Sequence, residues 1–387
     1  MDDQILENLR ILKSSMVTVL KPLEEIYPPP ADRQFIEVRY RPREEIIEGL
    51  RDLIVAAQKN IEAGITPCFP FLVRTESTQV FSTDANRYVL KKKVKTKVQE
   101  KNRRLESRDI KFMSMIRMIK SNCEKDYECN KRALLYDLEP YGIETIHYLD
   151  ILVDNLTCML ECTRESLLIT SNAEGRVAGQ LSYVCKGEVC ENFGEVRTIP
   201  DHDISDIKSD AAFILVVEKQ TVLKRLVRDN FHIAYQCIII TGRGQPCHIT
   251  KKFMKAIATE LKLPILGLMD CNVYGLRIFT TYRWGSKRMA HDNYRLITPD
   301  IMWLGLRPSD LGKDKYEISE SQRRPRKTHE DKYVTNIGRE KFVLSNAKWV
   351  DEVDLMKDAH NKANLESLGD NLSKTFLPKK LRDADWI

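Results

Sequence analysis

The sequence has 387 residues, of which 42% are hydrophobic and 30% are charged. This length allows two domains of ordinary size with extensions. The composition argues against wholesale disorder and, since no apolar run is long enough to span a bilayer, against a membrane protein. The formal net charge of +6 is small, so the distribution of charge is more informative than its sum.

Residues 1–105 predict an N-terminal helical extension followed by a basic linker. Ile5, Leu9 and Leu12 recur at helical spacing, prolines at 28–30 indicate a turn, and residues 46–61 give a second helical pattern. Residues 87–104 contain nine Lys or Arg residues and one acid. Such a block is typical of a phosphate-binding segment, a nuclear-import signal or a solvated surface linker.

Cysteine usage predicts a reducing compartment. The ten cysteines show no disulfide rhythm, and the N-terminus lacks a secretory signal, so we expect an intracellular protein with free thiols. Cys185 and Cys190 resemble half of a zinc site, but no second close pair supports it, so we interpret them as loop thiols.

Residues 106–200 predict a compact helical unit with a β wing. The stretches at 113–123 and 149–162 repeat apolar residues at helical steps, and residues 166–184 resemble a hairpin around a turn at Gly175. Helices followed by a β wing are typical of a winged-helix domain, although periodicity alone also fits a plain helical domain.

From residue 201 to 387 the pattern changes to alternating strands and helices. Apolar runs ending at 218, 242 and 270 alternate with helical stretches, which predicts a mostly parallel sheet covered by helices. The stretch 312–345, rich in charge and including QRRPRK at 322–327, predicts a loop or loosely ordered insert. The expected fold class is therefore α/β combined with α+β.

Two acids mark the ends of predicted strands. Glu218 ends one run and Asp270 ends another, and both belong at the carboxyl edge of the sheet, where ligands of open α/β sheets collect. Carboxylates that meet there suit Mg²⁺, but acids at strand ends equally often cap helices or begin turns. The loop Gly242 to Pro246 lacks the Gly-Lys-Ser/Thr ending of a P-loop.

Several short motifs stand in order along the chain: VVEK at 216–219, ITGRGQP at 240–246, LMDCNVYG at 268–275 and the run from 282 to 311. They resemble the Toprim domain of the topoisomerase VI A subunits and their meiotic relatives, and LSKTFLPKKL near the end is a weaker match to the same family. KRALLY at 131–136 and residues 163–181 resemble the family's tyrosine segment and wing. The resemblance implies a winged-helix domain that carries a catalytic tyrosine, followed by a metal-binding Toprim domain.

By this resemblance Tyr136 is the nucleophile and Arg132, one helical turn earlier, is its catalytic neighbour. The family's first tyrosine of the pair is replaced by Leu135. Glu218, Asp270 and Asn272 match the family's three metal-binding carboxylates, with Mg²⁺ as the expected cofactor and Mn²⁺ as a substitute. The asparagine leaves one or two ions open, because an amide oxygen ligates without charge.

The implied reaction is the cleavage of both strands of double-stranded DNA, leaving the protein joined to 5′ phosphates through tyrosine. The family implies a homodimer, or a heterotetramer with a topoisomerase VI B-like subunit, in which each tyrosine faces the partner's metal. Further cations and polar groups near the rim are expected to contact DNA or to be ordinary surface residues: Arg243, Gln245, Lys251, Lys252 and Arg277.

We expect meiotic double-strand-break formation that initiates recombination on chromosomes in the nucleus, with meiotic accessory proteins as partners. Two alternatives remain open. One is a topoisomerase VI-like A subunit, an isomerase that acts with an ATPase partner. The other, suggested by Leu135 and Asn272, is a catalytically silent DNA-binding paralogue.

Overall fold

A computed structural model describes residues 2–16, 23–27, 34–64, 69–94, 107–170, 173–311, 324–325, 327–359 and 361–387. The described residues of the N-terminal region form α1 (Asp3–Ser15), α2 (Leu23–Ile26), β1 (Phe35–Ile36), α3 (Arg43–Glu62), β2 (Gln79–Ser82) and β3 (Arg87–Lys91). The two amphipathic helices that the sequence predicts are confirmed. Helix α1 buries Ile5, Leu9 and Leu12 and packs beside the C-terminal helix.

The predicted basic linker is wrong at its start. Residues 87–91 form β3, the central strand of a three-stranded antiparallel sheet. Arg87 is fully buried, and its guanidinium donates hydrogen bonds to Glu37 and to the carbonyl of Ala85. Charge alone could not predict this, because a buried arginine differs from a solvated one only through its tertiary partners. Residues 95–106 and the prolines at 28–30 lie outside the described residues.

The helical unit that follows has one apolar core. Its elements are α4 (Ser107–Glu124), β4 (Cys129–Asn130), α5 (Lys131–Leu138), α6 (Ile146–Leu160) and β5 (Ile169–Thr170), with short 3-10 helices at Glu139–Tyr141 and Glu165–Leu167. Helix α5 is anchored at Asn130, whose side chain accepts the backbone N–H of Arg132 at 2.8 Å. Leu134 and Leu138 are fully buried on one side of α5, which fixes the direction of its other side.

The hairpin predicted around Gly175 is wrong. Residues 169–170 pair in parallel with 129–130, whereas 176–178 pair antiparallel with a strand of the large sheet. The hairpin instead turns at Lys186 and Gly187, which both have positive φ, as a two-residue hairpin turn requires. An alternating pattern identifies a strand but not its partner. The strands here are β6 (Arg176–Ala178), β7 (Gln180–Cys185), β8 (Glu188–Phe193), β9 (Arg197–Thr198) and β10 (Ile204–Lys208).

Cys185 and Cys190 lie in the strands of this hairpin, so their assignment to a loop is also wrong. The prediction of free thiols is confirmed for the described cysteines. Cys68 lies outside them.

The C-terminal half contains a six-stranded sheet in the order β14 (Met302–Gly305), β13 (Ile265–Leu268), β11 (Phe213–Val217), β12 (Cys237–Thr241), β6, β9. Its first four strands are parallel, β6 pairs antiparallel with β12, and β9 pairs antiparallel with β6, so the mostly parallel sheet is confirmed. The elements are β11 (Phe213–Val217), α7 (Gln220–Arg228), α8 (Phe231–Ala234), β12 (Cys237–Thr241), α9 (His248–Leu261), β13 (Ile265–Leu268), α10 (Val273–Trp284), α11 (Asn293–Leu296) and β14 (Met302–Gly305). Because β6 and β9 precede residue 200, the sheet crosses the predicted domain boundary.

The predicted loose insert is wrong where the structure describes it. Residues 328–337 and 341–344 are helical, and residues 312–323 lie outside the described part of the chain. The remaining elements are β15 (Arg324–Pro325), α12 (Thr328–Ile337), α13 (Lys341–Leu344), α14 (Ala347–Ala359), β16 (Asn361–Lys362) and α15 (Leu377–Arg382), with 3-10 helices at Pro308–Leu311 and Leu365–Leu368 and a π-helical turn at Leu372–Phe376. The helices form because Val334, Phe342 and Val343 bury their side chains in the core.

A cluster of buried charges joins the helical unit to its neighbours. Asp154 on α6 is 1% exposed and contacts Arg164, Arg74 of the N-terminal region and Arg288 of the C-terminal half. Asp150, one turn earlier, contacts Arg164, Arg288 and Lys131, the first residue of α5. Helix α5 is thereby tied to both flanking regions.

A second set of ion pairs crosses the same boundary. Glu165 of the helical unit accepts Lys252 at 3.2 Å and Arg295 at 3.2 Å, and lies 3.5 Å from the His248 ring. Arg295 also holds Asp292, which is 2% exposed. The two sets of pairs hold the helical unit against the C-terminal half of the chain.

Candidate functional site

The two predicted acids meet at the carboxyl edge of the sheet. Strands β11 and β13 are adjacent and parallel, so Glu218 and Asp270 follow neighbouring strand ends. The backbone N–H of Asp270 donates to Glu218 Oε2 at 3.0 Å. Glu218 is 7% exposed and Asp270 is 2% exposed. The convergence that the sequence predicted is therefore present.

Because both acids are buried and close together, a nearby positive charge stabilises their ionised forms. Burial and the neighbouring Asp270 carboxylate raise the pKa of Glu218 to about 7. Burial likewise raises the pKa of Asp270, and Lys219 opposes this effect. The Lys219 ammonium lies 2.7 Å from Asp270 Oδ2 and 2.8 Å from Glu366 Oε2. A cation at this edge would offset the repulsion that two buried carboxylates otherwise carry.

The donor set fits a hard divalent cation. Two carboxylates at one sheet edge supply the oxygen ligands that Mg²⁺ prefers, and Mg²⁺ keeps several waters, so two protein ligands suffice. The Lys219 ammonium already supplies positive charge to Asp270. In the described part of the chain, no group of three or more His, Cys, Asp or Glu side chains is arranged to hold a metal.

Asn272 lies beside the pair but serves a different purpose. It is the N-cap of α10, and its Oδ1 accepts the N–H groups of Tyr274 at 2.8 Å and Gly275 at 2.9 Å. Both lone pairs of that oxygen are thus engaged within the helix. Gly275 is required here, because a Cβ would lie 2.2 Å from the Asp270 carbonyl oxygen.

Sequence reasoning missed Glu366. A C-terminal segment folds over the acid pair, and the N–H of Leu365 donates to Asp270 Oδ1 at 2.9 Å. Glu366 then holds Lys219 and accepts the Thr221 hydroxyl at 3.1 Å. Nothing in the sequence around residue 366 marks it as a neighbour of Asp270, since the contact exists only after the chain returns to the sheet.

The glycine-containing loop after β12 is tied to Glu218. The carbonyl of Glu218 accepts the Thr241 hydroxyl at 3.0 Å and the Gly244 N–H at 2.9 Å. Gly244 has φ +101°, a region that favours glycine. The loop holds the exposed side chains of Arg243 and Gln245 at the same rim as the acids.

Tyr136 is on the solvent-facing side of α5. Its side chain is 67% exposed, whereas Leu135 is 9% exposed and packs into the core of the helical unit. Arg132 is exposed one turn earlier on the same helix. No hydrogen bond or ion pair within the described residues joins Tyr136 to Glu218 or Asp270. The phenol is therefore available to a ligand from outside the chain.

Comparisons with known proteins identify the family of this chain. Residues 213–381 match the family model for the Toprim domain shared by Spo11 and the topoisomerase 6 A subunit. The A3 subunit of DNA topoisomerase 6 from Oryza sativa subsp. indica is 34% identical over 365 residues, which cover 91% of this chain and 81% of the relative. The chain belongs to the Spo11/topoisomerase 6 A-subunit family.

Two further relatives represent both branches of this family. The A subunit of DNA topoisomerase 6 from Arabidopsis thaliana is 35% identical over 87% of this chain and 80% of its own length. The meiotic recombination protein SPO11 of Homo sapiens is 31% identical over 72% of this chain and 71% of its own length. The four parallel strands of the large sheet, with Glu218 and Asp270 at their carboxyl edge, thus lie within the Toprim domain.

A groove of about 760 Å³ separates α5 from the Toprim domain. Arg132 lines one side and Gln245, Lys251 and Arg277 line the other. Tyr136 is not among its lining residues. The groove therefore connects the helix that carries the tyrosine with the loop and helices beside the acids.

The five residues expected to contact DNA differ in their availability. Arg243, Gln245 and Arg277 are exposed, but Lys251 is 3% exposed. Lys252 is engaged with Glu165 and with Asp203, its ammonium lying 2.7 Å from Asp203 Oδ1.

Among the helices that the structure describes, none has the length and apolar character needed to cross a bilayer.

Proposed function

We propose that this protein cuts both strands of DNA by transesterification at Tyr136 and initiates meiotic recombination. The observation that carries the proposal is that Tyr136 is exposed to solvent on a firmly held helix. Its helix is fixed by the buried Leu134 and Leu138 and by the Lys131 ion pair with Asp150, while the phenol is 67% exposed. A nucleophile that attacks a polymer needs this combination of rigid support and open access.

In the proposed step the Tyr136 oxygen attacks a backbone phosphorus atom. A new bond joins the tyrosine to the 5′ phosphate, the bond from phosphorus to the 3′ oxygen breaks, and the phenol proton balances the departing 3′ hydroxyl. No water is consumed, so the reaction is reversible in principle. Arg132, one turn before Tyr136, is suited to hold a phosphate oxygen during the attack. The helical unit, on this proposal, is the family's winged-helix domain.

Glu218 and Asp270 are the residues that would hold Mg²⁺, or Mn²⁺ in its place. Bound there, the metal would neutralise charge on the phosphate. Lys219 and Glu366 would keep Asp270 in position, because both belong to the hydrogen-bonded set around it. Asn272 would contribute by capping α10 and orienting Asp270, whose Oδ2 lies 3.5 Å from its amide nitrogen.

Cleavage of two strands requires two tyrosines, so the proposed active form is a dimer. Within one chain Tyr136 makes no contact with Glu218 or Asp270 in the described residues, which favours a partner's acid pair as its counterpart. On this proposal the dimer works in the nucleus on meiotic chromosomes, with accessory proteins and a B-like subunit.

The decisive experiment compares three tyrosine variants. Tyr136→Phe removes only the attacking oxygen, so we expect no covalent DNA complexes while DNA affinity is retained. Tyr127→Phe and Tyr141→Phe are matched controls, since these tyrosines are 55% and 51% exposed on nearby surface. The measurement is recovery of DNA fragments attached to immunoprecipitated protein.

Covalent complexes in Tyr136→Phe would refute the assignment. If the parent protein with its partners forms none under Mg²⁺ or Mn²⁺, it is the catalytically silent paralogue. A mixture of Tyr136→Phe and Asp270→Asn chains tests the dimer. In a mixed dimer, Tyr136 of the Asp270→Asn chain faces the intact acid pair of the Tyr136→Phe chain. This one complete site should restore cleavage of a single DNA strand, which neither variant performs alone.

The second candidate is a topoisomerase 6-like A subunit that rejoins the ends with an ATPase partner. The more extensive similarity to two plant topoisomerase 6 A subunits favours it, at 34–35% identity against 31% for human SPO11. Relaxation of supercoiled DNA upon addition of ATP and a B subunit would select this candidate. Ends that stay attached to protein would select the meiotic one.

A further inference from the structure

One lysine of the groove stands apart because its ammonium has no partner in the described chain. Lys251 is 3% exposed and lines the groove between α5 and the Toprim domain. Among the residues that the structure describes, none forms an ion pair or hydrogen bond with its side chain. Burying an ammonium without a counter-charge is costly. An anion bound in the groove beside Lys251 would therefore offset the free-energy cost of burying its ammonium.

The start of α9 lies at the same point. This helix has 14 residues, and the side chain of its N-cap, Cys247, accepts no backbone N–H of the first turn, because its sulfur instead lies 3.2 Å from the Thr250 hydroxyl. Pro246, Cys247 and His248 all line the groove, so the open end faces it. Unpaired N–H groups and the helix dipole favour an anion there. Helical side chains lean toward the N-terminus, which brings the Lys251 chain back to this end.

Three other cations that line the groove are already neutralised by acids. Lys131 pairs with Asp150, and Arg164 and Arg288 pair with Asp150 and Asp154. The neighbouring Lys252 pairs with two acids that do not line the groove. These groups have little charge left to offer a ligand. Lys251 is thus chemically different from the lysine that follows it in the chain.

The acidity of Lys251 agrees with its surroundings. Burial lowers its pKa to about 8, Asp292 and Cys247 act in the opposite direction, and Arg164 lowers the pKa further. Asp292 is itself occupied by His248 and Arg295. An anion bound beside the ammonium would raise this pKa again, because it favours the charged form.

We propose that Lys251 and the open N-terminus of α9 form a seat for one phosphate group of the DNA backbone. The identity of the ligand as DNA rests on the proposed function, but the seat itself does not. Arg132 and Arg277 lie on the sides of the groove without an ion pair to any acid of the described chain, and they continue a path for the same strand. The seat would fix the register of that strand between α5 and the acids.

The first test uses inorganic phosphate and the full-length protein. The thermal midpoint is measured with increasing phosphate against sodium chloride at equal ionic strength. We expect phosphate to raise the midpoint of the parent protein and of Lys224→Met, an exposed lysine on α7. Lys251→Met should lose the phosphate-dependent rise, and Lys251→Arg should keep part of it. An equal rise in Lys251→Met would overturn the seat.

The second test uses a DNA duplex labelled for fluorescence anisotropy. Lys251→Met should weaken binding about tenfold, as loss of one charge-assisted phosphate contact does. The slope of log affinity against log salt should fall by about 1. Lys224→Met should change neither quantity. If Lys251→Met does not stay folded, Lys251→Gln replaces it, because its amide can still donate hydrogen bonds.

The outcomes separate this proposal from the proposed function. Weaker DNA binding by Lys251→Met in a protein that never forms covalent complexes would support the seat and reject the enzyme. Normal DNA affinity and salt slope in Lys251→Met, with covalent complexes intact in the parent, would overturn the seat and leave the enzyme. Loss of the phosphate effect without any change in DNA affinity would overturn the assignment to DNA and indicate a free phosphate as the ligand.

Discussion

Removal of one buried charge at the boundary between the helical unit and the Toprim domain should destabilise the whole protein. The perturbation is Asp154→Asn, which keeps the shape of the side chain and removes its charge. Asp154 is 1% exposed and accepts Arg164 and Arg74. Burial would raise the pKa of Asp154, but Arg164 and other positive neighbours outweigh it and lower the pKa to about 2.

The magnitude follows from this pKa. The ordinary value is 3.8, and a lowering of roughly two units corresponds to about 2–3 kcal/mol of stabilisation at neutral pH. Leaving Arg164 and Arg74 without their acceptor adds to the loss, so we expect about 3 kcal/mol. With a urea m-value of roughly 3 kcal/mol/M, the unfolding midpoint falls by about 1 M.

The assay is urea unfolding followed by tryptophan fluorescence at a series of pH values. Asp351→Asn, an exposed acid on α14, is the control and should change stability by less than about 0.5 kcal/mol. A lowered acid pKa gives stability that is present above pH 3.8 and is lost as the pH falls toward 2. The difference between parent and variant should shrink over that window. A midpoint change no larger than that of Asp351→Asn would refute the reasoning.

Two further predictions concern ligands. Asp270→Asn keeps an acceptor for the Leu365 N–H but removes the charge that would hold a metal, so calorimetric titration with Mg²⁺ should show no binding heat. The control Asp351→Asn should behave like the parent protein. An unaltered isotherm in Asp270→Asn would contradict the metal site. Phosphate affinity should decline as the pH rises from 7 to 9, because Lys251 loses its proton with a pKa of about 8. The decline should be absent in Lys251→Arg. The groups that surround Lys251 are Asp292, Cys247 and Arg164. Equal pH dependence in both proteins would contradict that assignment.

The parallel sheet and its acids were predictable because their determinants are local. Each buried strand of the Toprim core is a short apolar run, and the acid that ends it must lie at the carboxyl edge once the strands are parallel. Glu218 and Asp270 could thus be placed together from the sequence alone. Tyr136, by contrast, was singled out by the resemblance of its segment to the family's tyrosine motif, and its role stays a prediction.

Other features depended on contacts between distant segments. The alternation in residues 176–178 identified a strand, but only the folded chain showed that it joins the Toprim sheet and does not form a wing hairpin at Gly175. Arg87 appeared in the sequence as part of a basic block, yet it is buried because Glu37 lies opposite it. Asn272 matched a metal-binding position, and the structure shows its oxygen engaged at the start of α10.

The amino-acid order by itself determined which elements form, which of their faces are apolar and which acids end the strands, since these properties depend on neighbours within a few residues. Tertiary structure decided which charges are free. Lys251 and Lys252 are adjacent in the chain, but one has no partner in the described structure and the other is held by Glu165 and Asp203. That difference arises because the energy of a charge depends on burial and on groups brought near it by folding, neither of which is encoded in adjacent residues.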